Sequence, residues 1–257
     1  MRIVAVIPAR MASSRFPNKP MAMIHGMPMI GHCYCRVSQC SLLDDTYVAT
    51  CDELIHDYIL SIGGKSIMTS NSHQRASDRA AEAMLKIEDA DGRRIDILVM
   101  VQGDEPMDTP EMISQAVNPM LKDESINIVN LMGPTEDLSE FEDPNTVKVV
   151  VGGDSKALYF SREPIPTRKK GVENVPMMKQ ICIIPFKRDY LIKFNNTDET
   201  SLELIESVDM LRVLENGGDV HMVLTEYPSV SVDTEEDLSR VVKLMTNDSL
   251  MHTYLRE

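Results

Sequence analysis

Apolar residues recur along the first half of the chain in two rhythms. IVAVI (3–7) and IDILVMVQ (95–102) are nearly unbroken apolar runs, and TYVATC (46–51) and KSIMTS (65–70) are shorter segments of the same kind. Runs without polar alternation are what strands buried on both faces require. Between them, MPMIGHCYCRVSQC (27–40), ELIHDYILSI (53–62) and SDRAAEAMLKIE (77–88) place apolar residues at helical spacing. Pro28 suits a first helical turn, Gly63-Gly64 a helix stop and Ser77 an N-cap. Strands alternating with helices of this size predict βαβ units, a mainly parallel sheet and right-handed crossovers.

The pattern changes in the second half. TVKVVV (146–151) and ALYFS (157–161) flank the turn-rich GGDSK and predict a hairpin, and QICIIPF (180–186) predicts a further strand. TRKKGVENVP (167–176) reads as a polar loop, either a lid over a substrate or a solvated connection. LELIESVDMLRVLENGG (202–218) predicts one amphipathic helix closed by Gly217-Gly218. DVHMVLT (219–225) is a late strand, and DTEEDLSRVVKLM (233–245) a last helix whose acidic first turn suits the macrodipole. No repeat, low-complexity tract or linker interrupts the chain. The reading is one α/β domain over residues 1–257 with a small antiparallel subdomain at roughly 140–200.

Composition narrows the class. With 257 residues, 43% hydrophobic and 26% charged, the chain has enough apolar material for a substantial core. A net charge of −14 argues against a nucleic-acid partner, since no broad basic footprint exists to displace counterions. The five cysteines (Cys33, Cys35, Cys40, Cys51, Cys182) are odd in number and include no C-x-x-C pair, which predicts reduced thiols rather than disulfides or a zinc site. The N-terminal apolar run stops at Pro8, too short for a signal peptide, and no stretch is long enough to span a bilayer. A cytoplasmic protein is expected.

Charge placement then points to an anion. No Asp or Glu precedes Asp44, whereas Arg2, Arg10, Arg15, Lys19 and Arg36 all do. Three of these cations lie in IPARMASSRFPNK (7–19), the loop leaving the first strand, and ligands of open α/β sheets bind beyond the carboxyl ends of strands. Such a loop could cradle a polyphosphate, or its cations could be ordinary surface charges; neither a Walker A nor a G-x-G-x-x-G pattern is present. VQGDEP (101–106) brings Asp104 to another strand end, and VSVDTEEDL (230–238) does the same for Asp233. Carboxylates there suit Mg²⁺ beside phosphate. Each is equally compatible with a turn or N-cap role.

IPARMASSRFPNKP, VATCDE, GGKSIMTSNSHQRASDR, VQGDEPM, DPNTVKVV, ALYFSREPIP, LRVLENG and VDTEEDL together resemble, in that order, the CMP-KDO synthetases (3-deoxy-manno-octulosonate cytidylyltransferases), relatives of the CMP-sialic acid synthetases. The likeness covers nearly the whole chain, from Ile3 to about Met245. It implies a nucleotidyltransferase-like, Rossmann-like α/β fold and a homodimer that couples CTP to a 2-keto sugar acid and releases pyrophosphate. It also implies that Arg10, Arg15 and Lys19 hold the CTP phosphates, with Arg10, Lys19 and Asp104 carrying catalysis. Pro8, Ala9, Ser77 and Gln102 would complete the CTP site, Gln102 beside the sugar acid. Asp104 and Asp233 match the ligands of one or two Mg²⁺, and Arg75, Arg162, Gln180 and Asp209 fall at acceptor positions.

Departures from the family pattern concentrate on the acceptor side. Arg75-Ala76 replaces a Ser-Gly pair, the KQICIIPF segment offers Gln180, Ile184 and Phe186 where a His and a Tyr are usual, and Asp209-Met210 replaces Glu-Gln. Apolar residues there would leave sugar hydroxyls unpartnered, at about 1–3 kcal/mol for each buried group. The acceptor expected is therefore a 3-deoxy-2-keto sugar acid, with a phosphonate or another small acid as the alternative. A nucleotide-binding regulator without turnover is a third reading, disfavoured because both aspartates and all three loop cations are in place.

Overall fold

Strand–helix alternation in the first half of the chain builds a parallel sheet, as its buried runs require. The computed structural model describes residues 1–12 and 16–255. The chain forms two compact units, one of Met1–Ser114 with Pro228–Glu257, the other of Gln115–Tyr227.

In the first unit, β1 (Ile3–Ala9), β2 (Asp45–Thr50), β3 (Ser66–Met68) and β4 (Ile97–Val101) lie in the order β4-β1-β2-β3, all parallel. Val4, Ala5, Val6 and Ile7 of β1 and every residue of β4 are buried, which accounts for their lack of polar alternation. Helices α1 (Met29–Val37), α2 (Glu53–Ser61) and α3 (Ala76–Asp91) connect the strands, and α2 stops where expected, at Gly63 in the left-handed region (φ +76). Two helix starts differ from expectation. Pro28 precedes α1 in an extended conformation rather than opening it. Ser77 lies inside α3, fully buried, because the helix starts at Ala76 after an extended Arg75.

In the second unit, β5 (Val129–Pro134), β6 (Lys148–Val151), β7 (Ala157–Ser161), β8 (Met178–Ile181) and β10 (His221–Leu224) form one sheet, with β9 (Ile183–Lys187) running on from β8. The sheet order is β10-β5-β8-β6-β7, antiparallel except for the β5–β10 pair. The β6–β7 hairpin is as expected. The single strand expected at 180–186 is two, interrupted at Cys182, where the Asn130 side chain donates to the Ile181 carbonyl (2.7 Å).

The helix expected at 202–218 is also two, Ser201–Glu206 and Met210–Glu215, separated by Ser207 in the left-handed region (φ 52). Arg162 explains the break. Its Nε and Nη2 donate to the carbonyls of Glu206 (2.6 Å) and Ser207 (3.3 Å), which a continuous helix would offer to the amides four residues on. No helix among the described residues is long and apolar enough to cross a membrane.

Candidate active site

A cleft of about 320 Å³ opens in the first unit at the carboxyl ends of its strands. Pro8, Ala9 and Arg10 line it from the end of β1, Lys19 from the following turn, Arg75 from the start of α3, and Gln102 and Asp104 from the end of β4. Asp233, from just before the helix Glu235–Met245, completes it. The parallel topology alone aims these strand ends the same way.

Local structure then sets each side chain. The loop after β1 is fastened by the Met11 amide, which donates to the Asp52 carboxylate (2.8 Å). Asn18 takes a left-handed conformation (φ 60), as Asn tolerates, and turns the chain into the short helical turn Lys19–Met21, anchored by buried Pro20. Gly103 is required by close approach: a Cβ there would lie 3.0 Å from Ile30 Cδ1 and 3.1 Å from the Pro8 carbonyl. Asp104 thereby sits hard against the first loop.

Asp233 was a candidate N-cap, but Thr234 takes that role, its hydroxyl accepting from the Asp237 amide (3.2 Å). Asp237 in turn accepts from the amides of Asp233 (3.0 Å) and Thr234 (2.8 Å). Relieved of capping, the Asp233 carboxylate reaches into the cleft.

The result is a three-charge cluster. The Lys19 ammonium donates to Asp104 Oδ2 at 2.6 Å and to Asp233 Oδ1 at 3.2 Å. Burial would lower the Lys19 pKa, but the two carboxylates outweigh it and hold the ammonium above its ordinary value. All three side chains remain in part accessible, at 12%, 23% and 18% exposure respectively.

Behind it, the Val232 amide donates to the Asp104 carbonyl (2.9 Å) and the Ser229 hydroxyl to Glu105 Oε2 (2.8 Å), lacing the two acidic loops together. Arg36 pins the same region through the carbonyls of Asp108 (2.7 Å) and Met107 (3.0 Å). Burial first, then the adjacent Glu105, pushes the Asp108 carboxyl well above the usual carboxylate range.

Not every candidate converges here. Arg15 lies outside the described residues. Ser77 is buried within α3 and does not line the cleft. Arg162, Gln180 and Asp209 belong to the other unit. There Arg162 also donates to the Pro144 carbonyl (2.9 Å), Gln180 Nε2 donates to Asn130 Oδ1 (2.6 Å), and Asp209 is the residue before the helix Met210–Glu215. Ile184, Phe186 and Met210 are buried to within 1% of complete, with Phe186 packed on Phe194 at 5.9 Å. They are core positions, not the weakly polar lining of an open pocket.

Conversely, the cleft includes residues with no role assigned from the sequence, among them His73, Gln74 and buried Arg79. His73 hydrogen-bonds Glu82. Burial would raise the Glu82 pKa, but bonds from Lys86, the Ser70 amide and His73 bring it down to about 2. His73 precedes α3 and Glu82 lies nine residues on within it, so no helical spacing marks this pair in the sequence.

Comparison with known proteins follows the same lines. A family model described as cytidylyltransferase matches residues 4–224. The chain is 42% identical over 248 residues to the 3-deoxy-manno-octulosonate cytidylyltransferase of Pelobacter propionicus, covering 93% of this chain and 95% of that one. It is 39% identical over 256 residues to the enzyme of the same name from Geobacter metallireducens, covering 96% and 98%. A solved CMP:2-keto-3-deoxy-manno-octonic acid synthetase complexed with CTP superposes with a TM-score of 0.88 at 35% identity, over 96% of this chain and 100% of that one. The chain belongs to the cytidylyltransferase family, and its mixed α/β architecture is the nucleotidyltransferase-like fold expected.

Proposed function

We propose, with membership of the cytidylyltransferase family as the premise, that this chain transfers CMP from CTP to 3-deoxy-manno-octulosonate and releases pyrophosphate. The observation that carries the reading is the meeting of Lys19 with Asp104 and Asp233 on a cleft also lined by Arg10 and Gln102. The names of the relatives support the octulosonate as acceptor. They do not favour the phosphonate alternative, whose main argument, the apolar residues at 184 and 186, concerns buried core positions.

The acceptor hydroxyl attacks the α-phosphorus of CTP. A bond forms from that oxygen to phosphorus as the bond from phosphorus to the oxygen of the β-phosphate breaks; the electron pair leaves on pyrophosphate and the hydroxyl proton is lost to solvent. Such a transfer needs positioning and charge neutralisation rather than a covalent enzyme intermediate. Lys19 and Arg10 supply positive charge to the phosphates, as does Arg15 in the family pattern. Pro8 and Ala9 bound the cytidine side, and Gln102 lies between nucleotide and acceptor. Arg75 adds a cation to the cleft. The acceptor assignments of Arg162, Gln180 and Asp209, and Ser77 at the nucleotide, belong to the same proposal and predict selective rises in the matching KM on substitution.

Mg²⁺ fits the donor set. Two carboxylate oxygens converge on one cationic nitrogen, and Mg²⁺ needs only one or two protein carboxylates, taking its other ligands from water and phosphate. Asp104 and Asp233 would hold it, and it would neutralise charge on the triphosphate.

Pyrophosphate release measured with CTP, Mg²⁺ and 3-deoxy-manno-octulosonate tests the reading, beside the other nucleoside triphosphates and a panel of acids including phosphonates. Release with CTP and the octulosonate is expected. Turnover with another acid alone, or tight CTP binding with no turnover on any acid, would overturn it. Homodimerisation in the cytoplasm completes the proposal, and sedimentation of the purified chain at twice its monomer mass is the expected result.

A further inference from the structure

Helix α1 carries two buried polar side chains that do not line the cleft, His32 and Arg36, four residues apart and so on one face of the helix. His32 Nε2 lies 2.8 Å from the Ile24 carbonyl, which can only accept, so the proton sits on Nε2. Nδ1 is left to accept from the Tyr254 hydroxyl at 2.9 Å. Burial lowers the His32 pKa and outweighs the bond to Ile24, which keeps the imidazole neutral as that pairing requires. Arg36 donates through Nε to the Asp108 carbonyl (2.7 Å), through Nη2 to the Met107 carbonyl (3.0 Å) and through Nη1 to Asp248 Oδ2 (2.7 Å).

These bonds lead to two walls of the cleft. Ile24 belongs to the short hairpin of Met23–Ile24 and Met27–Pro28, which directly follows the Lys19–Met21 turn. The Met29 amide of α1 donates to the Ala22 carbonyl (2.8 Å), so the helix holds that segment at two points. Met107 and Asp108 close the loop that Asp104 opens, and the loop turns back where the Asp108 amide donates to the Glu105 carbonyl (3.3 Å). The C-terminal segment supplies one partner to each arm. Asp248 Oδ1 accepts from the amides of Leu250 (2.8 Å) and Met251 (3.1 Å), which turns its other oxygen to Arg36, and the helix Met251–Tyr254 brings the Tyr254 hydroxyl to His32.

We propose that His32 and Arg36 are positioning residues for the transfer, and that segment 248–254 sets them: through Tyr254 and Asp248 it fixes α1 as the frame that registers the Lys19 turn against the Asp104 loop. The inference rests on the reading of Lys19 as a phosphate cation and Asp104 as a metal carboxylate, and adds what holds their two loops in register. Registration matters because transfer depends on placement, and a displacement of about 1 Å can cost about a hundredfold in rate.

Two conservative variants divide the frame. Tyr254→Phe deletes one hydroxyl and acts on the Lys19 side; Asp248→Asn removes the charge facing Arg36 and acts on the Asp104 side. In the full chain, CTP affinity without divalent metal, by titration calorimetry, reads the first arm. Mn²⁺ affinity in the presence of CTP, by electron paramagnetic resonance, reads the second. Asp248→Asn is expected to weaken Mn²⁺ about fivefold and to leave CTP within about twofold of wild type, and Tyr254→Phe to do the reverse, both less than loss of a metal ligand's own hydrogen-bond partner costs. Each should also lower kcat for pyrophosphate release about tenfold. Arg36→Lys keeps a cation beside Asp248 but lacks the fork that spans both carbonyls, so it should match Asp248→Asn and replaces it if that variant folds poorly.

Unchanged affinities in both variants, or equal losses for both ligands that follow a fall in Tm, would overturn the inference while leaving the site standing, provided Lys19→Ala weakens CTP and Asp104→Asn weakens Mn²⁺. If those two controls bind CTP and Mn²⁺ as the wild type does, the site reading itself fails, and the inference with it.

Discussion

Arg212 in one unit and Lys19 in the other each face carboxylates, and they differ in how many of their donors the protein consumes. Arg212 binds Glu203 through both carboxylate oxygens, at 2.6 and 2.7 Å, and gives its remaining amino group to the carbonyls of Phe194 (3.2 Å) and Thr197 (3.1 Å). Its guanidinium lies 4.4 Å from the centre of the Phe194 ring, and the pair is 4% and 0% exposed. Charge is balanced and nothing faces solvent, so the cluster can only hold the fold together. Lys19, by contrast, donates to two carboxylates on the wall of a cleft, where all three side chains are in part accessible. A satisfied, buried pair marks structure. An accessible one on a cleft wall is within reach of a ligand.

Substitutions can break this contrast from either side. The largest effect is expected from Asp104→Asn, which should lower kcat/KM about a thousandfold by removing charge from the reacting centre. Its Tm should stay at or above that of the wild type, because one of two repelling carboxylates is gone. A parallel fall in Tm and activity would show that the cluster is structural after all.

Glu203→Ala should do the reverse, costing about 3–5 kcal/mol of unfolding free energy in urea by stranding a buried guanidinium. Activity per folded molecule should not change. Ser229→Ala tests the lacing between the two acidic loops. Loss of its bond to Glu105 is expected to cost about 1 kcal/mol and to raise the KM for Mg²⁺ while leaving that for CTP near its starting value.

The smallest effect concerns Asp108. Its folded pKa is raised, so the native state retains a proton that the unfolded chain releases near 3.8. Its contribution to stability is complete below that value and is lost as pH rises through the folded pKa. Asp108→Asn carries no such penalty, so its Tm advantage over the wild type should widen as pH rises above 3.8 in melts across a pH series. A constant difference would show that the buried carboxyl does not titrate in this way.

Much of the first unit was legible because each element carried its own signal. Apolar runs marked the central strands, and Gly63 and the acidic first turn of Glu235–Met245 marked helix ends. The segregated cations after β1 and the Gly-Asp step after β4 marked two walls of the cleft. In the second unit the same rules misjudged continuity. The amphipathic period runs through 202–218, yet Arg162, some forty residues earlier in the chain, takes the carbonyls that would have carried the helix past Ser207. The apolar residues at 184 and 186 suggested an altered pocket, because a sequence does not distinguish a core wall from a site wall.

By itself, the sequence determined the alternation of elements, the parallel sheet in the first unit and the types of charged residue that line the cleft. These depend on intervals of a few residues, over which side-chain chemistry and backbone period act directly. Tertiary structure decided which of those groups meet. Lys19 and Asp233 are separated by 214 positions, and Thr234 rather than Asp233 caps the helix that brings the second carboxylate into reach. Contacts at that separation are set by sheet order and loop anchoring, for which no local pattern exists. The cleft is therefore written in the sequence as residue types and assembled only by the fold.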